Sequence, residues 1–236
     1  MKIRWLGQGG FLIRDNAETT EILVDPYLSD AVNRDGTCPR QRPVPIDPAD
    51  VKSDAVICTH DHLDHLDTGA VPDMPADTFF VTTYEGCETL DKLARPNHRA
   101  VRPGDTFDVG AIRVTIVYAL HTCEAFGVIL ETDGVRLYIS GDTLYDEKLF
   151  DIAQYRPDIT CFCINGRMGN MNVGEAVITA KKIGARLNIP DHFDMFASNM
   201  EDPAKFTCEF AENEVFLPEF DRQYKDLAEN SAVVLK

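Results

Sequence analysis

Apolar positions in the first half of the chain come in short bursts separated by turn residues. KIRWLG (2–7), GFLIRD (10–15), EILVDP (21–26), SDAVICT (53–59) and TFFVTT (78–83) have the length and composition of strands, and the opening is therefore read as all-β. YEGCETLDKLA (84–94) shifts to helical spacing, after which AIRVTIVYAL (111–120), GVILET (127–132) and VRLYISG (135–141) read as strands again. Asp133-Gly134 between the last two is the dipeptide of a two-residue hairpin, whose central positions need positive φ. From residue 143 helix and strand alternate: a helix near YDEKLFDIAQY (145–155), the strand DITCFCI (158–164), the helix VGEAVITAKKIGA (173–185), the strand LNIP (187–190) and a helix near PAKFTCEFAEN (203–213). Asn172 with Glu175 forms a capping box at the start of the second of these helices, and Gly184 marks its end. Runs split in this way predict an α+β fold of two sheets packed face to face with helices outside, and the length predicts a single domain over residues 1–236.

The one segment with no regular signal is SDAVNRDGTCPRQRPVPIDPAD (29–50). A loop of that length in a compact domain is functional or disordered, and its Arg34, Arg40 and Arg42 would suit either an anionic substrate or a solvated surface.

Charge narrows the partners. With 23 basic against 39 acidic residues the formal net charge is −16, which repels phosphate backbones and excludes nucleic acid as a partner for a broad basic face. No apolar run approaches the roughly 18 residues of a membrane span and the start lacks a leader signature, so no membrane partner and a cytoplasmic location are expected. Seven cysteines without a CxxC pair indicate neither a disulfide framework nor a thiolate zinc site, and most are read as small buried hydrophobes.

The chemistry concentrates in THDHLDHLD (59–67), three histidines and three aspartates directly behind an apolar strand. The His-x-His-x-Asp-His pattern puts His60, His62, Asp64 and His65 within one small volume, which is metal-ligand spacing. His121, Asp142 and His192 each sit just past a predicted strand, where loops from one sheet edge converge, whereas His98 lies in the polar stretch RPNHRA and is left out as a surface residue. Nitrogen and oxygen donors suit zinc, manganese or iron. Ser140 in ISGDT lacks a nucleophile elbow and receives no covalent role.

This motif order, together with WLGQGGFLI, VDPYLSD, ISGDT, INGRMGNMN and IPDHFDMF, resembles the metallo-β-lactamase superfamily over nearly the whole chain, and most of all its branch similar to L-ascorbate-6-phosphate lactonase. The resemblance implies an αββα sandwich. It further implies two divalent metal ions, zinc or manganese with iron open, the first held by His60, His62 and His121 and the second by Asp64, His65 and His192, with Asp142 bridging. Asp64 and Asp142 are the carboxylates expected in catalysis, Asp64 orienting a metal-bridging hydroxide that attacks an ester or lactone carbonyl. Asp25, Asp67 and Asp194 stand near enough in sequence to steady the outer nitrogens of the histidines, or to cap turns instead.

In INGRMGNMN a strand ends, a Gly-containing loop follows and a helix starts, an arrangement that offers free N–H groups to an anion. Asn165, Arg167 and Asn172 are therefore expected to contact a phosphate or carboxylate of a small anionic substrate, and Tyr27, Phe193, Met195 and Phe196 to line its pocket or to belong to the core. The expected activity is hydrolysis of a lactone or related ester, a sugar phosphate among the candidates, with a binuclear phosphodiesterase acting on a small phosphate ester as the alternative. Redox di-iron proteins similar in fold place a glutamate where His62 stands, which argues against that class here. A homo-oligomer stays open.

Overall fold

Period-two alternation in the opening strands sorts their side chains onto two faces. In the computed structural model, which describes residues 1–229 and 233–235, β1 (Lys2–Gly7), β2 (Gly10–Arg14) and β3 (Glu21–Val24) form an antiparallel meander. Phe11, Ile13, Ile22 and Val24 enter the main core, while Leu12 and Leu23 enter a second cluster on the other face. β4 (Ala55–Ile57), β5 (Phe80–Thr82) and β6 (His98–Ala100) continue the sheet in parallel with β3.

The second sheet contains β7 (Thr106–Val109), β8 (Ile112–Tyr118), β9 (Phe126–Thr132), β10 (Val135–Ile139), β11 (Ile159–Cys163) and β12 (Leu187–Asp191), antiparallel up to β10 and parallel from there to β12. The Asp133-Gly134 turn between β9 and β10 has φ of +55° and +74°, as the hairpin requires. β13 (Gln223–Lys225) and β14 (Val233–Leu235) return to the first sheet beside β1, giving the orders β14-β13-β1-β2-β3-β4-β5-β6 and β12-β11-β10-β9-β8-β7.

Between the two mixed sheets lies the largest core cluster, Trp5, Phe11, Ile13 and Ile57 from one side against Ile116, Leu130, Ile139 and Ile189 from the other. Burying each such side chain contributes about 1.5–3 kcal/mol. Helices cover the outer faces: α1 (Tyr84–Lys92) sends Leu90 into the cluster of Leu12 and Phe80, and α2 (Val173–Ile183) packs Ala176, Val177 and Ala180 against Tyr138 and Phe162. The arrangement is the expected α+β sandwich. α2 carries the expected Asn172–Glu175 capping box, and its C-cap Gly184 sits at φ +74°.

Three local details are added by the structure. The expected helix at Glu147–Tyr155 winds as a 3-10 helix, because the apolar residues that anchor it, Leu149, Ile152 and Tyr155, recur every three positions. The last helix is a single turn, α3 (Ala204–Thr207). The polar stretch around His98 is the edge strand β6, and its polarity suits an edge. His98 Nε2 meets Asp91 Oδ1 at 2.9 Å, apart from the other five histidines.

Strand direction places the chemistry. β1 and β3 both run against β2, and β8 and β10 both run against β9, so residues that follow β1, β3, β4, β8, β10 and β12 emerge at one edge of the sandwich. These residues are Gln8, Asp25, His60, His121, Asp142 and His192.

Candidate metal centre

The THDHLDHLD segment leaves β4 and turns back on itself at once, the His65 and Leu66 amides donating to the His62 carbonyl at 2.9 and 2.8 Å. Leu66 anchors the turn in the outer core. Asp67 locks its far end by accepting from the amides of Leu28 (2.8 Å), Ser29 (2.7 Å) and Gly69 (3.0 Å). His60, His62, Asp64 and His65 are thereby turned toward the residues arriving from the second sheet.

Outer hydrogen bonds fix which ring nitrogen faces inward. His121 Nδ1 donates to the Gly169 carbonyl at 3.0 Å, His192 Nδ1 to Asp191 Oδ1 at 2.9 Å, and His65 Nδ1 lies 2.8 Å from Asp25 Oδ2. The Nε2 atoms of all three are left facing the centre, where His121 Nε2 is 3.2 Å from His62 Nδ1 and His192 Nε2 is 3.3 Å from His65 Nε2. Asp142 stands between the two pairs, Oδ1 at 2.5 Å from His192 Nε2 and 3.3 Å from His65 Nε2, Oδ2 at 3.9 Å from His121 Nε2. Asp64 accepts from Gln8 Nε2 at 3.0 Å.

This arrangement fits divalent cations. The ligand atoms of His60, His62 and His121 lie within 4.8 Å of one another, and so do those of Asp64, His65 and His192. His60 Nε2 is buried with no hydrogen-bond partner, a costly condition that an ion bound beside it relieves. Burial pushes His60 and His121 below the ordinary imidazole range. On His65 and His192 burial acts the same way, but the surrounding Asp142, Asp25, Asp64 and Asp191 outweigh it and hold both well above that range. Asp142, although buried, is held well below the carboxylate range by His192 and His65. The cluster is able to bind metal, through imidazole and carboxylate donors.

Backbone strain is present here too: Gln8, Asp25, Met168 and His192 have φ of +52°, +45°, +56° and +58°. Two glycines permit the close packing. A Cβ on Gly9 would stand 2.8 Å from His192 Cε1 and 3.1 Å from His65 Cε1, and one on Gly169, at φ +92°, 2.8 Å from His121 Cε1.

Other expected residues divide. Of Asp25, Asp67 and Asp194, Asp25 touches a cluster histidine, Asp67 secures the turn, and Asp194 pairs with Arg42. Arg40 donates to the carbonyls of Ser29 (2.6 Å) and Pro43 (2.9 Å) and packs over the Tyr27 ring, so Arg40 and Arg42 bind the 29–50 loop to the body. Asn165 is buried, its amide engaged with Asn199 and Asn170 at 2.9 Å each, and Asn172 caps α2, so both side chains are used within the chain. Phe193 stacks on Trp5 with centroids 4.4 Å apart, while Tyr27, Met195 and Phe196 form a small cluster of their own. Ser140 Oγ donates to the Gly141 carbonyl. Gln8, Asp191 and Gly169 were not singled out by sequence; neither was Cys123, a half-buried thiol that burial, Asp61 and Glu85 push up to about 11.

A cleft of about 550 Å³ opens onto the centre. His62, Asp64 and Asp142 lie in it beside Leu63, Val32 and Phe196, and Arg167, whose Nη1 donates to the Met200 carbonyl at 2.7 Å, lines its rim.

Residues 20–193 match the family model described as the β-lactamase superfamily domain. The chain is 26% identical over 227 residues to a UPF0173 metal-dependent hydrolase of Methanosarcina mazei, covering 87% of this chain and 89% of that one. To its counterpart in Oenococcus oeni it is 27% identical, covering 95% and 99%. Among solved structures, an isothiocyanate hydrolase from Delia radicum gut bacteria superposes with a TM-score of 0.79 at 18% identity, covering 94% and 98% of the two chains. A metallo hydrolase of Ignicoccus hospitalis superposes with a TM-score of 0.72 at 20% identity, covering 100% and 98%. The structural matches speak for the fold alone. With the family model spanning most of the sequence, the chain belongs to the β-lactamase superfamily, and within it aligns over nearly its full length with metal-dependent hydrolases.

Proposed function

We propose that this metal-dependent hydrolase opens a lactone or related ester of a small anionic molecule, a sugar phosphate among the candidates. The observation that carries the reading is the cleft whose floor holds Asp64 and Asp142 of the donor cluster and whose rim holds Arg167. In this reading His60, His62 and His121 would hold one divalent ion and Asp64, His65 and His192 a second, with Asp142 between them; zinc and manganese suit the donors, iron after them. When bound, such a pair supplies Lewis acidity and lowers the pKa of water toward neutrality.

The chain's own residues do the rest. Asp64, steadied by Gln8, accepts a hydrogen bond from the attacking water and aims its lone pair at the ester carbon. Arg167 draws the anionic group to the rim, while Phe196, Val32 and Leu63 keep bulk water from the floor. The Ser140 hydroxyl is buried and committed to Gly141, which suits attack by water rather than through an acyl-enzyme. A reducing compartment such as the cytoplasm suits seven cysteines that are all free, and the charge of −16 speaks against nucleic acid as substrate. Among the described residues no helix is long and apolar enough to cross a membrane.

The test is elemental analysis of the purified protein with a panel of small lactones and phosphate esters, for wild type and Asp64→Ala. About two equivalents of metal, with lactone turnover lost in the variant, support the reading. Turnover of phosphate esters alone replaces the lactonase by a phosphodiesterase. Absence of metal and of activity after loading with zinc, manganese or iron overturns it.

A further inference from the structure

We propose that Cys123 is a fourth protein donor to the tri-histidine half of the cluster, its thiolate sharing one ion with His60, His62 and His121. The inference rests on the metal-centre reading and goes against the expectation, drawn from the lack of a CxxC pair, that no thiolate takes part. Its ground is proximity: the Cys123 sulfur and the ligand nitrogens of His60, His62 and His121 all lie within 4.8 Å of one another. His62 Nδ1 and His121 Nε2 already stand 3.2 Å apart, close to the roughly 3.3 Å of two imidazoles bound to one tetrahedral ion at about 2.0–2.1 Å.

The turn that carries Cys123 is held at both ends. On one side the His121 ring is tied to the Gly169 carbonyl at 3.0 Å. On the other, the Glu124 carboxylate caps the start of α1, accepting from the amides of Tyr84 at 2.8 Å and Glu85 at 3.2 Å, and the Glu124 amide donates back to Glu85 Oε2 at 3.2 Å. The thiol is therefore presented to the histidines by a braced segment rather than by a loose loop.

Charge separates this role from the alternative of a free nucleophile. Carboxylate oxygens of Asp61 and Glu85 lie within the same 4.8 Å reach of the sulfur. Negative charge around a thiol opposes an isolated thiolate and favours a divalent cation beside it. On binding, the S–H proton passes to solvent and a sulfur–metal bond forms, with no change of oxidation state. A thiolate beside three imidazoles would bias that half toward zinc over manganese.

The experiment loads metal-free, full-length protein with one and two equivalents of Co(II) and records the visible d–d bands and the near-ultraviolet sulfur-to-cobalt charge-transfer band. Wild type is compared with Cys123→Ser and with Cys38→Ser, which removes the half-buried thiol in the cleft. In parallel, alkylation of Cys123 in wild type is followed by peptide mass spectrometry with and without zinc. The charge-transfer band is expected in wild type and Cys38→Ser and lost in Cys123→Ser, with Cys123 alkylation slowed at least about tenfold by zinc. Cobalt d–d bands in wild type without charge transfer, a band that survives in Cys123→Ser, or equal alkylation rates overturn the thiolate ligand and leave the histidine centre standing. No uptake of Co(II) at all overturns both.

Discussion

Replacing Asp25 by Asn preserves the volume behind the cluster and removes its charge. Asp25 is fully buried at the end of β3; Oδ1 accepts from the Thr59 amide at 2.7 Å, and Oδ2 accepts from the Thr59 hydroxyl at 2.7 Å and lies 2.8 Å from His65 Nδ1. In the Asn variant the carbonyl oxygen must stay on the Thr59 amide, because that donor has no other orientation. The new NH₂ group then faces His65 Nδ1 and can only donate to it. A neutral imidazole that accepts a hydrogen bond at Nδ1 carries its own proton on Nε2, the atom that faces Asp142 and Asp64, and a protonated Nε2 cannot ligate. Loss of such an outer partner costs about 10–100-fold in metal affinity, or about 1.4–2.7 kcal/mol. In the proposed two-ion centre the loss would belong to the Asp64–His65–His192 half and leave the tri-histidine half near wild type. Competition with a calibrated chelator reads the two affinities, and thermal melting of the metal-free variant checks that the fold is retained. Wild-type affinity at both halves in a folded Asp25→Asn protein would refute the tautomer argument.

Four further outcomes are expected. Gly9→Ala pushes a methyl group to within about 3 Å of the His192 and His65 rings; metal content should fall while the circular dichroism spectrum of the fold remains. Asn172→Ala removes the cap of α2 and costs about 1 kcal/mol, a fall of roughly 2–4 °C in Tm, with unchanged KM, whereas a rise in KM without loss of stability would restore its expected role at the substrate. Arg167→Met, at the exposed rim of the cleft, should raise KM for anionic lactones about three- to tenfold and leave neutral lactones unaffected, as steady-state kinetics will read. Chelation should change the pH dependence of stability. In the metal-free protein His65 and His192 have folded values raised above their unfolded ones, so their contribution is full below the unfolded value and is lost as pH rises through the folded value. Asp142, depressed in the folded state, contributes above its unfolded value and loses that contribution as pH falls through the folded one. Tm of the chelated protein should therefore fall as pH rises well above neutrality, and a flat profile there would contradict the charge assignment.

Donor chemistry was legible in the chain because it is local. His60, His62, Asp64 and His65 sit within one turn after β4, and ligand type and spacing alone limit what such a segment does. Alternating apolar strands, the Asp133-Gly134 hairpin and the Asn172 cap were legible for the same reason, since each is decided by residues that are neighbours in sequence. Where a short stretch depends on a distant partner, the reading was incomplete: β6 at the sheet edge is polar enough to go unread as a strand, and the period-three anchor that makes the helix Glu147–Tyr155 a 3-10 helix shows only against the core it packs on. Asn165 and Asn172 read as substrate contacts because a loop before a helix start offers donors, yet their side chains bond to Asn199, Asn170 and Glu175, which periodicity cannot reveal.

The tertiary structure alone decided how the donors are supported and combined. Gln8 reaches Asp64 across 56 positions, Asp25 reaches His65 across 40, and the Gly169 carbonyl meets His121 across 48. None of these pairs has a local signal, because each joins loops that follow strands far apart in sequence within one sheet. The local sequence selects which atoms can bind a metal; contacts between distant loops select which nitrogen of His65 and His121 points inward, and the packing of one sheet on the other selects which carboxylate stands between the pairs. It also selects whether a cysteine two residues past His121 lies beside the imidazoles or away from them. The orientations of His65 and His121 and the distance between the sheets are set by groups far from these ligands in sequence, and for that reason only the folded molecule contains them.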